Sequence, residues 1–283
     1  MNPTVAIVAQ GAMGSGVGGR LVERGLRVIT SLAGRSDASA SRARAAGMVA
    51  VSDEECAQAD FFLSICPPSD APALAARMAA LIAPAGKKPI YVDCNAVSPA
   101  TKVAIGNVIL AAGAPFIDVG ITGLPPKGEH SPYLHASGPE AGKLGVLNDF
   151  GIKVSVIEGP IGAASALKMS YGAITKGITA LGSMIMLAAT RAGVADRLRA
   201  ELDRTQPALV TQFQRAVPDM FDKAYRFVGE MEEIADFVGE DEAAQQMYHA
   251  IAEFYTRIAA DYDGQKKETG ALAAFLKKKG DRA

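Results

Sequence analysis

Residues 5–21 read VAIVAQGAMGSGVGGRL, and this stretch decides the fold. A short apolar run, VAIV, passes directly into a glycine-rich turn, and a helix-compatible segment follows. Glycines let a backbone turn tightly and approach phosphate groups, and the first turn of a helix offers free N–H groups and a partial positive charge. The order of strand, glycine turn and helix therefore predicts a site for a dinucleotide pyrophosphate. The residues expected to contact it are Gly11, Ala12, Met13 and Gly14.

The turn departs from the usual G-x-G-x-x-G spacing at its first position. Ala9 stands where the first glycine is expected, and Gly11 and Gly14 occupy the other two positions. Alanine fits there only if its φ angle stays negative. Glycine-rich turns also occur as plain connections between a strand and a helix, so this alternative stays open.

Composition excludes several classes of protein. The chain has 283 residues, of which 49% are hydrophobic, and this length suits about two domains. A net charge of −1 argues against a protein that binds nucleic acid through its charge. The three cysteines are far apart and form no C-x-x-C pair, which predicts neither disulfides nor a metal site. The first apolar run is too short to span a membrane and no leader-like segment accompanies it, so we expect a soluble, cytoplasmic protein without membrane contact.

The first half of the chain alternates strand-like and helix-like segments. Its candidate strands are short and continuously apolar, as expected for strands that are buried on both faces. They lie at residues 4–9, 27–31, 61–65, 89–92 and 116–119, and residues 134–137 and 153–157 could add two more. Alanine-rich helical segments, such as 36–46 and 71–82, separate them. This alternation predicts βαβ units, a parallel sheet and a doubly wound α/β (Rossmann) domain over residues 1–160.

The second half is helix-like throughout. Residues 163–191 contain no proline and read as one long helix, so residues 161–283 are expected to form an all-helical domain. Breaks between later helices are expected at Pro207, Pro218 and Gly239. The long helix is apolar on more than one face, which predicts that it is buried between domains or subunits. The residues behind this prediction are Leu167, Ile174, Ile178, Leu181 and Ile185.

The segment after the second strand bears on the kind of dinucleotide. Dinucleotide-binding folds usually place an acid there, which binds the ribose 2′-OH of NAD. The segment TSLAGRS, residues 30–36, has no acid, and the first one follows at Asp37. Arg35, with Ser36 beside it, suits a 2′-phosphate and so favours NADP over NAD. The alternative is that Arg35 only covers the surface of the next helix.

Polar segments follow three of the later strands, whose carboxyl ends should meet the bound ligands. In the segment SICPP, Cys66 and Pro67 are expected to line the cofactor. In the segment DCNAVSP, Asn95 is expected to contact cofactor and substrate. Ser98, in the same segment, contacts substrate, caps the helix that the next proline begins, or does both.

The turn GITGLPP follows the next strand, and Thr122 and Gly123 within it are expected to bind substrate. His130 follows in a loop, where a single histidine more often lies on the surface than at a catalytic position.

Lys168 is the strongest single candidate for a catalytic residue. It stands near the start of the long helix in the segment GAASALKM, where its neighbours are nearly all small or apolar. A lysine in such surroundings either extends its ammonium group to the surface or lies in a cleft with a lowered pKa. In a cleft it could take or give a proton near neutral pH. The residues alone leave both alternatives open.

Four of these motifs, in this order, resemble the β-hydroxyacid dehydrogenase superfamily, which includes 6-phosphogluconate and 3-hydroxyisobutyrate dehydrogenases and imine reductases. AQGAMG at 9–14 resembles the family's G-x-G-x-M-G, and DCNAVSP at 93–99 resembles D-x-S/N-x-x-S/D-P. ITGL at 121–124 resembles V-S-G-G, and GAASALK at 162–168 resembles G-x-x-x-x-x-K.

The segment KAYRFVGEMEEIA, residues 223–235, resembles a small helical domain of unassigned function in phosphogluconate-dehydrogenase-like proteins. Taken alone, it predicts a charged amphipathic helix in which Arg226 and Glu230 pair across one turn.

The resemblance implies an NADP-dependent oxidoreductase that oxidises the hydroxyl group of a small β-hydroxy acid or related alcohol, or reduces the matching carbonyl. It implies that Lys168 is the general acid/base and that Asn95, Thr122 and Gly123 orient the substrate. It also implies a homodimer, because the relatives build their shared interface from the long helix.

Two alternatives stay open. One is imine reduction on the same scaffold, although those relatives commonly have a residue other than lysine at the position of Lys168. The other is a protein that binds NADP without catalysis. Leu124 replaces a family glycine, and Gly172 replaces an asparagine that holds substrate, so a substrate different from those of the best-known relatives is expected.

Overall fold

The computed structural model describes residues 2–8 and 11–277. Its internal contacts divide the chain into two compact units, residues 1–169 and 170–283. Ala9, and with it the departure from the first glycine of the turn, lies outside the described residues.

Among the described residues, eight strands form one sheet in the order β3-β2-β1-β4-β5-β6-β7-β8. They are β1 (Thr4–Val8), β2 (Arg27–Ser31), β3 (Val49–Val51), β4 (Phe61–Ser64), β5 (Ile90–Asp93), β6 (Phe116–Thr122), β7 (Tyr133–Ser137) and β8 (Lys153–Val156). The strands from β1 to β6 pair in parallel. The predicted doubly wound sheet is therefore confirmed, and each candidate strand is present.

Two features of the sheet differ from the predictions. The predictions do not include β3, because its three residues, VAV, are too few to show a sequence pattern and are not buried. Strand β7 runs antiparallel to β6, because residues 123–132 between them are too few for the helical crossover that a parallel strand needs.

Both faces of the sheet are covered by helices. These are α1 (Ala12–Glu23), α2 (Asp37–Ala45), α3 (Asp53–Cys56), α4 (Ala71–Ile82) and α5 (Pro99–Ala111). Alternate residues of β1 belong to two different buried clusters, with Val5 and Ile7 in one and Ala6 and Val8 in the other. Because successive side chains of a strand point to opposite faces, the clusters lie on opposite faces of the sheet. Burial on both faces explains the continuously apolar strands.

The predicted long helix is confirmed as α6 (Ala163–Arg191), which begins in the first unit and continues into the second. The later helices are α7 (Ala195–Thr205), α8 (Pro207–Met220), α9 (Ala224–Phe237), α10 (Glu242–Asp263) and α11 (Lys267–Leu276). Breaks at Pro207 and near Gly239 are confirmed. The break predicted at Pro218 falls two residues later, because Pro218 lies in the last turn of α8, which ends at Met220.

In the single chain, the apolar residues behind this prediction are exposed, so their burial between subunits stays a prediction. Leu167, Ile174, Ile178, Leu181 and Ile185 are each at least 37% exposed. With exposed Tyr171 they recur at alternating spacings of four and three residues, which puts them on one side of the helix rather than all round it. We call this set the α6 stripe: Leu167, Tyr171, Ile174, Ile178, Leu181 and Ile185.

Among the described residues, α6 is also the one helix that is long and apolar enough to cross a membrane, a test that core helices of soluble proteins pass as well. In the folded chain, 44% of the most apolar 18-residue stretch of α6 is buried. Lys176 of α6 forms an ion pair with Glu230 of α9, and its ammonium group lies 4.7 Å from the centre of the Phe227 ring. Glu230, which the spacing pairs with Arg226, therefore ties α9 to α6.

Candidate active site

The carboxyl ends of β1, β4 and β5 lie level at one edge of the sheet, because Val8 pairs with Ser64 and Ser64 pairs with Asp93. Helix α1 begins at this edge, preceded by Gly11 in an extended conformation. A Cβ atom built on Gly11 meets no atom within 4 Å, and no acidic residue stands in the first turn. The start of α1 thus combines N–H groups that lack partners within the helix with open space, which fits a pyrophosphate. The residues of this turn are Ala12, Met13 and Gly14.

Asn95 links two of the turns at this edge. Its Oδ1 atom accepts a hydrogen bond from the backbone N–H of Cys66 at 2.6 Å, and its Nδ2 atom donates one to Ser64 Oγ at 2.8 Å. Its own backbone N–H donates to Asp93 Oδ1 at 3.0 Å. With its side chain 2% exposed, Asn95 fixes the turn that carries Cys66 and the exposed Pro67.

Arg35 lies close enough to Cys66 for its charge to act on the thiol. Burial raises the pKa of Cys66 to about 11, the charges of Asp93 and Asp70 add to this rise, and the Arg35 guanidinium opposes it. The segments that follow β2 and β4 therefore lie at the same edge of the sheet. Ser36 caps α2, where its Oγ atom accepts a hydrogen bond from a backbone N–H group.

A buried lysine connects this edge to the start of α6. Lys102 of α5 is fully buried, and its Nζ atom donates to Asp93 Oδ1 at 2.5 Å and to the backbone oxygen of Asn95 at 3.1 Å. It also lies 3.6 Å from Asp118 Oδ1. Burial alone lowers the pKa of Lys102, but the charges of the two aspartates outweigh burial and raise it above 10.5. We call Lys102, Asp93 and Asp118 the Lys102 cluster.

No motif marks the Lys102 cluster, although the sequence carries a signal for it. Lys102 shares the buried side of α5 with Ile105, Gly106 and Ile109, at the helical spacings of three, four and seven residues. A lysine in a core position of this kind requires a buried partner.

Asp118 anchors the first turn of α6. Its Oδ2 atom accepts hydrogen bonds from the backbone N–H groups of Gly162 at 2.9 Å and Ser165 at 3.1 Å, and its Oδ1 atom accepts one from Ser165 Oγ at 2.7 Å. Ser137 on the neighbouring strand donates to Asp118 Oδ2 at 3.1 Å and accepts from the N–H group of Ala164 at 2.9 Å. Helix α6 therefore begins against β6 and β7.

The same face of β6 sets the position of Lys168. Asp118, Gly120 and Thr122 alternate along the strand and share one face. A Cβ atom built on Gly120 would lie 2.6 Å from the backbone oxygen of Ala164 and 2.8 Å from Lys168 Cβ. Only glycine leaves room for α6 at this position, so the Lys168 side chain leaves the helix directly over Gly120.

Thr122 lies next along this face, and its Oγ1 atom is 3.0 Å from Nε2 of His135 on β7. Burial lowers the pKa of His135 below its usual 6.5, and the nearby charge of Lys168 lowers it further. Lys168 Cβ thus lies over Gly120 on the face of β6 that also carries Thr122, and His135, which no motif marks, lies on the same face. The stretch YLHAS carries His135 among residues that alternate in burial, a strand pattern that places it on the face of Tyr133 and Ser137.

The remaining predicted residues have defined local positions. Ser98 is 2% exposed and caps α5, accepting a hydrogen bond from the N–H group of Thr101 at 3.2 Å. Gly123 has a φ angle of 110°, which favours glycine, and its turn packs against Pro132. His130 is exposed in the loop, where its Nε2 atom lies 3.1 Å from the backbone oxygen of Leu124.

Family models match both parts of the chain. Residues 4–144 match the NAD binding domain of 6-phosphogluconate dehydrogenase. Residues 189–258 match a domain of unknown function, DUF1932. A curated protein of Methanothermus fervidus, described as an uncharacterized 28.5 kDa protein in the 7S RNA 5′ region, is 35% identical over 119 residues. That match covers 42% of this chain and 45% of the curated relative, so it spans less than half the length of either.

Solved structures share the fold over nearly the whole chain. A conserved protein of unknown function, with structural similarity to 3-hydroxyacid dehydrogenases, is 27% identical with a TM-score of 0.70 and covers 95% of this chain and 99% of its own. 3-Hydroxyisobutyrate dehydrogenase from Mycobacterium tuberculosis, solved with L-serine, is 19% identical with a TM-score of 0.72 and covers 98% of both chains. An imine reductase from Myxococcus stipitatus, solved with NADP+, is 18% identical with a TM-score of 0.57 and covers 97% of this chain and 100% of its own.

The fold and the open helix start at the strand ends define an oxidoreductase scaffold that binds a nicotinamide dinucleotide. The chain carries an NAD binding domain of the 6-phosphogluconate dehydrogenase type, followed by a DUF1932 domain, and this combination agrees with an NAD(P)-dependent dehydrogenase. The resemblance drawn from the motifs is thereby confirmed.

In Lys102→Met, two buried carboxylates lose their cation, so we expect the free energy of unfolding to fall by about 3–5 kcal/mol. Denaturant unfolding followed by circular dichroism measures this loss. The matched control is Lys143→Met, which removes an exposed ion pair with Glu140 and should cost less than about 1 kcal/mol. Equal losses in the two variants would contradict the role assigned to the Lys102 cluster.

Proposed function

We propose that the protein is an NADP-dependent oxidoreductase that acts on the CH–OH group of a small β-hydroxy acid or related alcohol, or reduces the matching carbonyl. The observation that carries this proposal is the close approach of α6 to β6 at Gly120, which holds Lys168 beside Thr122 and His135. A basic group fixed next to a hydroxyl and an imidazole suits proton transfer at a substrate oxygen.

In this proposal Lys168 is the general acid/base. Its neutral amine takes the proton of the substrate hydroxyl during oxidation, and its ammonium form returns a proton to the carbonyl oxygen in the reverse direction. The hydride chemistry would be supplied by a nicotinamide cofactor when one is bound. Thr122 and Gly123 orient the substrate, with Gly123 allowing the tight turn that presents Thr122. The buried Asn95 and Ser98 act from behind, because they hold the neighbouring turn and the start of α5 in place.

The proposed cofactor site follows from the edge of the sheet. The first turn of α1 holds the pyrophosphate, and the turn fixed by Asn95 contributes Cys66 and Pro67. Arg35 and Ser36 hold the 2′-phosphate of NADP, because Ser31 at the end of β2 is followed by no acid before Asp37. The three cysteines are free, which suits the reducing cytoplasm.

We expect Lys168→Ala to bind NADPH nearly as tightly as the wild type and to lose turnover by a factor of about 100 or more, because the proton has no acceptor. Nicotinamide absorbance with a panel of β-hydroxy acids, alcohols and cyclic imines measures turnover, and fluorescence titration measures binding. Lys143→Ala, an exposed lysine, serves as the control. Unchanged turnover in Lys168→Ala would refute the assignment, and activity confined to the imines would favour imine reduction.

We expect Arg35→Ala to weaken NADPH binding by about 10-fold or more, because a charge-assisted hydrogen bond to phosphate contributes about 1.5–3 kcal/mol. NADH has no 2′-phosphate, so its affinity should hardly change. Calorimetry with both cofactors measures the difference. The control is Arg42→Ala, whose guanidinium bonds Ser39 on the exposed side of α2. An equal loss for NADPH and NADH would refute the 2′-phosphate role.

The α6 stripe supports a homodimer as part of the same proposal. Its six residues follow the heptad spacing of a helix seam that packs against another helix. Apolar side chains from Leu167 to Ile185 stay exposed in the single chain, and contiguous exposed apolar patches mark interaction surfaces. A second copy offers a complementary seam, since its own α6 carries the same residues.

We expect light scattering to show a dimer for the wild type and a monomer for Ile178→Glu, because a carboxylate within the seam would be buried without a partner. Leu110→Glu is the matched control, since Leu110 of α5 is 47% exposed and lies outside the α6 stripe. A monomeric wild type, or dissociation of both variants, would contradict the proposed interface.

A further inference from the structure

A histidine lies next to Lys168 that the proposed reaction leaves unused. His135 on β7 stands directly opposite Gly120 on β6. Directly opposed side chains point to the same face of a sheet, and on this face Lys168 Cβ approaches Gly120. The imidazole of His135 and the side chain of Lys168 therefore occupy neighbouring positions.

The ring of His135 is held on two sides. Its Nε2 atom lies 3.0 Å from Thr122 Oγ1. The Tyr133 ring stacks on it, with centroids 5.9 Å apart and an interplanar angle of 15°, and the Lys153 ammonium group lies 5.4 Å from the centre of the Tyr133 ring. The titratable groups that face the imidazole are thus Lys168 from α6 and Tyr133 from its own strand, with Lys153 of β8 beyond the tyrosine ring.

The hydrogen bond couples the charge of His135 to the orientation of the Thr122 hydroxyl. In a neutral imidazole with its proton on Nδ1, the Nε2 atom accepts the O–H group of Thr122 and leaves the hydroxyl oxygen free to accept another hydrogen bond. In a protonated imidazole, Nε2–H donates to the hydroxyl oxygen of Thr122 instead. The hydroxyl hydrogen of Thr122 then points away from the ring.

We infer that His135 is a positioning residue: its neutral ring holds the Thr122 hydroxyl as a hydrogen-bond acceptor at the reacting centre, and its protonation reverses that bond. This inference rests on the proposed function, because the donor to Thr122 is the Lys168 ammonium group that forms once the amine has taken the substrate proton. Protonation also places a second positive charge beside Lys168 and opposes its uptake of the substrate proton. Both effects lower turnover in acid.

The direction of the pH dependence follows from the surroundings of the ring. Burial lowers the pKa of His135 below 6.5, and the charge of Lys168 lowers it further, so the ring is neutral at pH 7. Activity that depends on the neutral ring is complete above this lowered pKa and is lost as the pH falls through it.

A histidine titration by NMR tests the pairing without any substrate. The chain has three histidines, so His130→Gln, His135→Gln and His249→Gln assign each signal. In Lys168→Met the titration of His135 should move up toward pH 6.5, while the signals of His130 and His249 stay in place as internal controls. An unchanged His135 titration would overturn the inference, whether or not the protein is a dehydrogenase.

The pH profile of kcat/KM, with a substrate from the panel above, tests the consequence for turnover. His135→Gln keeps a group that bonds Thr122 but cannot titrate, so its acid limb should shift to lower pH. His135→Phe loses the bond, and kcat should fall about 10-fold at all pH values with NADPH affinity retained. His130→Gln should reproduce the wild-type profile. A wild-type acid limb in His135→Gln would refute the inference, whereas a wild type inactive on every substrate would refute the proposed function.

Discussion

The arrangement of the site depends on one buried cation. Lys102 lies fully buried between Asp93 at the end of β5 and Asp118 within β6. Taking such charges out of water costs several kcal/mol each, and close pairing offsets this cost only when further hydrogen bonds support it. Asn95 N–H donates to Asp93 Oδ1, and Ser165 donates to both oxygens of Asp118, whereas Asp93 Oδ2 is buried without a hydrogen-bond partner among the described residues. The Lys102 cluster therefore joins the turn that follows β5 to the helix that carries Lys168.

Strand β6 places the residues that pack against the start of α6 at regular intervals. Its alternate residues meet α6 in turn: Asp118 binds the helix start, Gly120 admits the backbone at Ala164, and Thr122 follows beside Lys168. Because successive residues on one face of a strand lie about 7 Å apart, this spacing is built into the backbone. The proposed general acid/base is thus placed by a helix packed on a sheet rather than by a loop, which favours a defined geometry.

Sequence patterns that repeat along the chain predict the strands and helices well. They do not predict contacts between residues that are distant in the sequence. Continuous apolar runs locate the central strands, and the absence of proline locates α6, because both signals are local. The antiparallel direction of β7 depends on the length of the loop before it, and the partners of Lys102 come from two strands. Lys168 and Thr122 carry family motifs, so the sequence predicts them as site residues. His135 carries none, and its relevance arises only when β7 pairs with β6 in the observed register.

Helix α6 carries both the proposed catalytic lysine and the proposed dimer interface, and the two lie on different sides of the helix. Successive residues turn about 100° around a helix, so Lys168 lies about 60–120° away from Leu167, Tyr171 and Ile174. A second copy packed along the α6 stripe would therefore border Lys168 without covering it. Its apolar residues would also exclude water from one side of the lysine, and a drier surrounding favours the neutral amine that the proposed oxidation requires. In this proposal, association and proton transfer are coupled through a single helix.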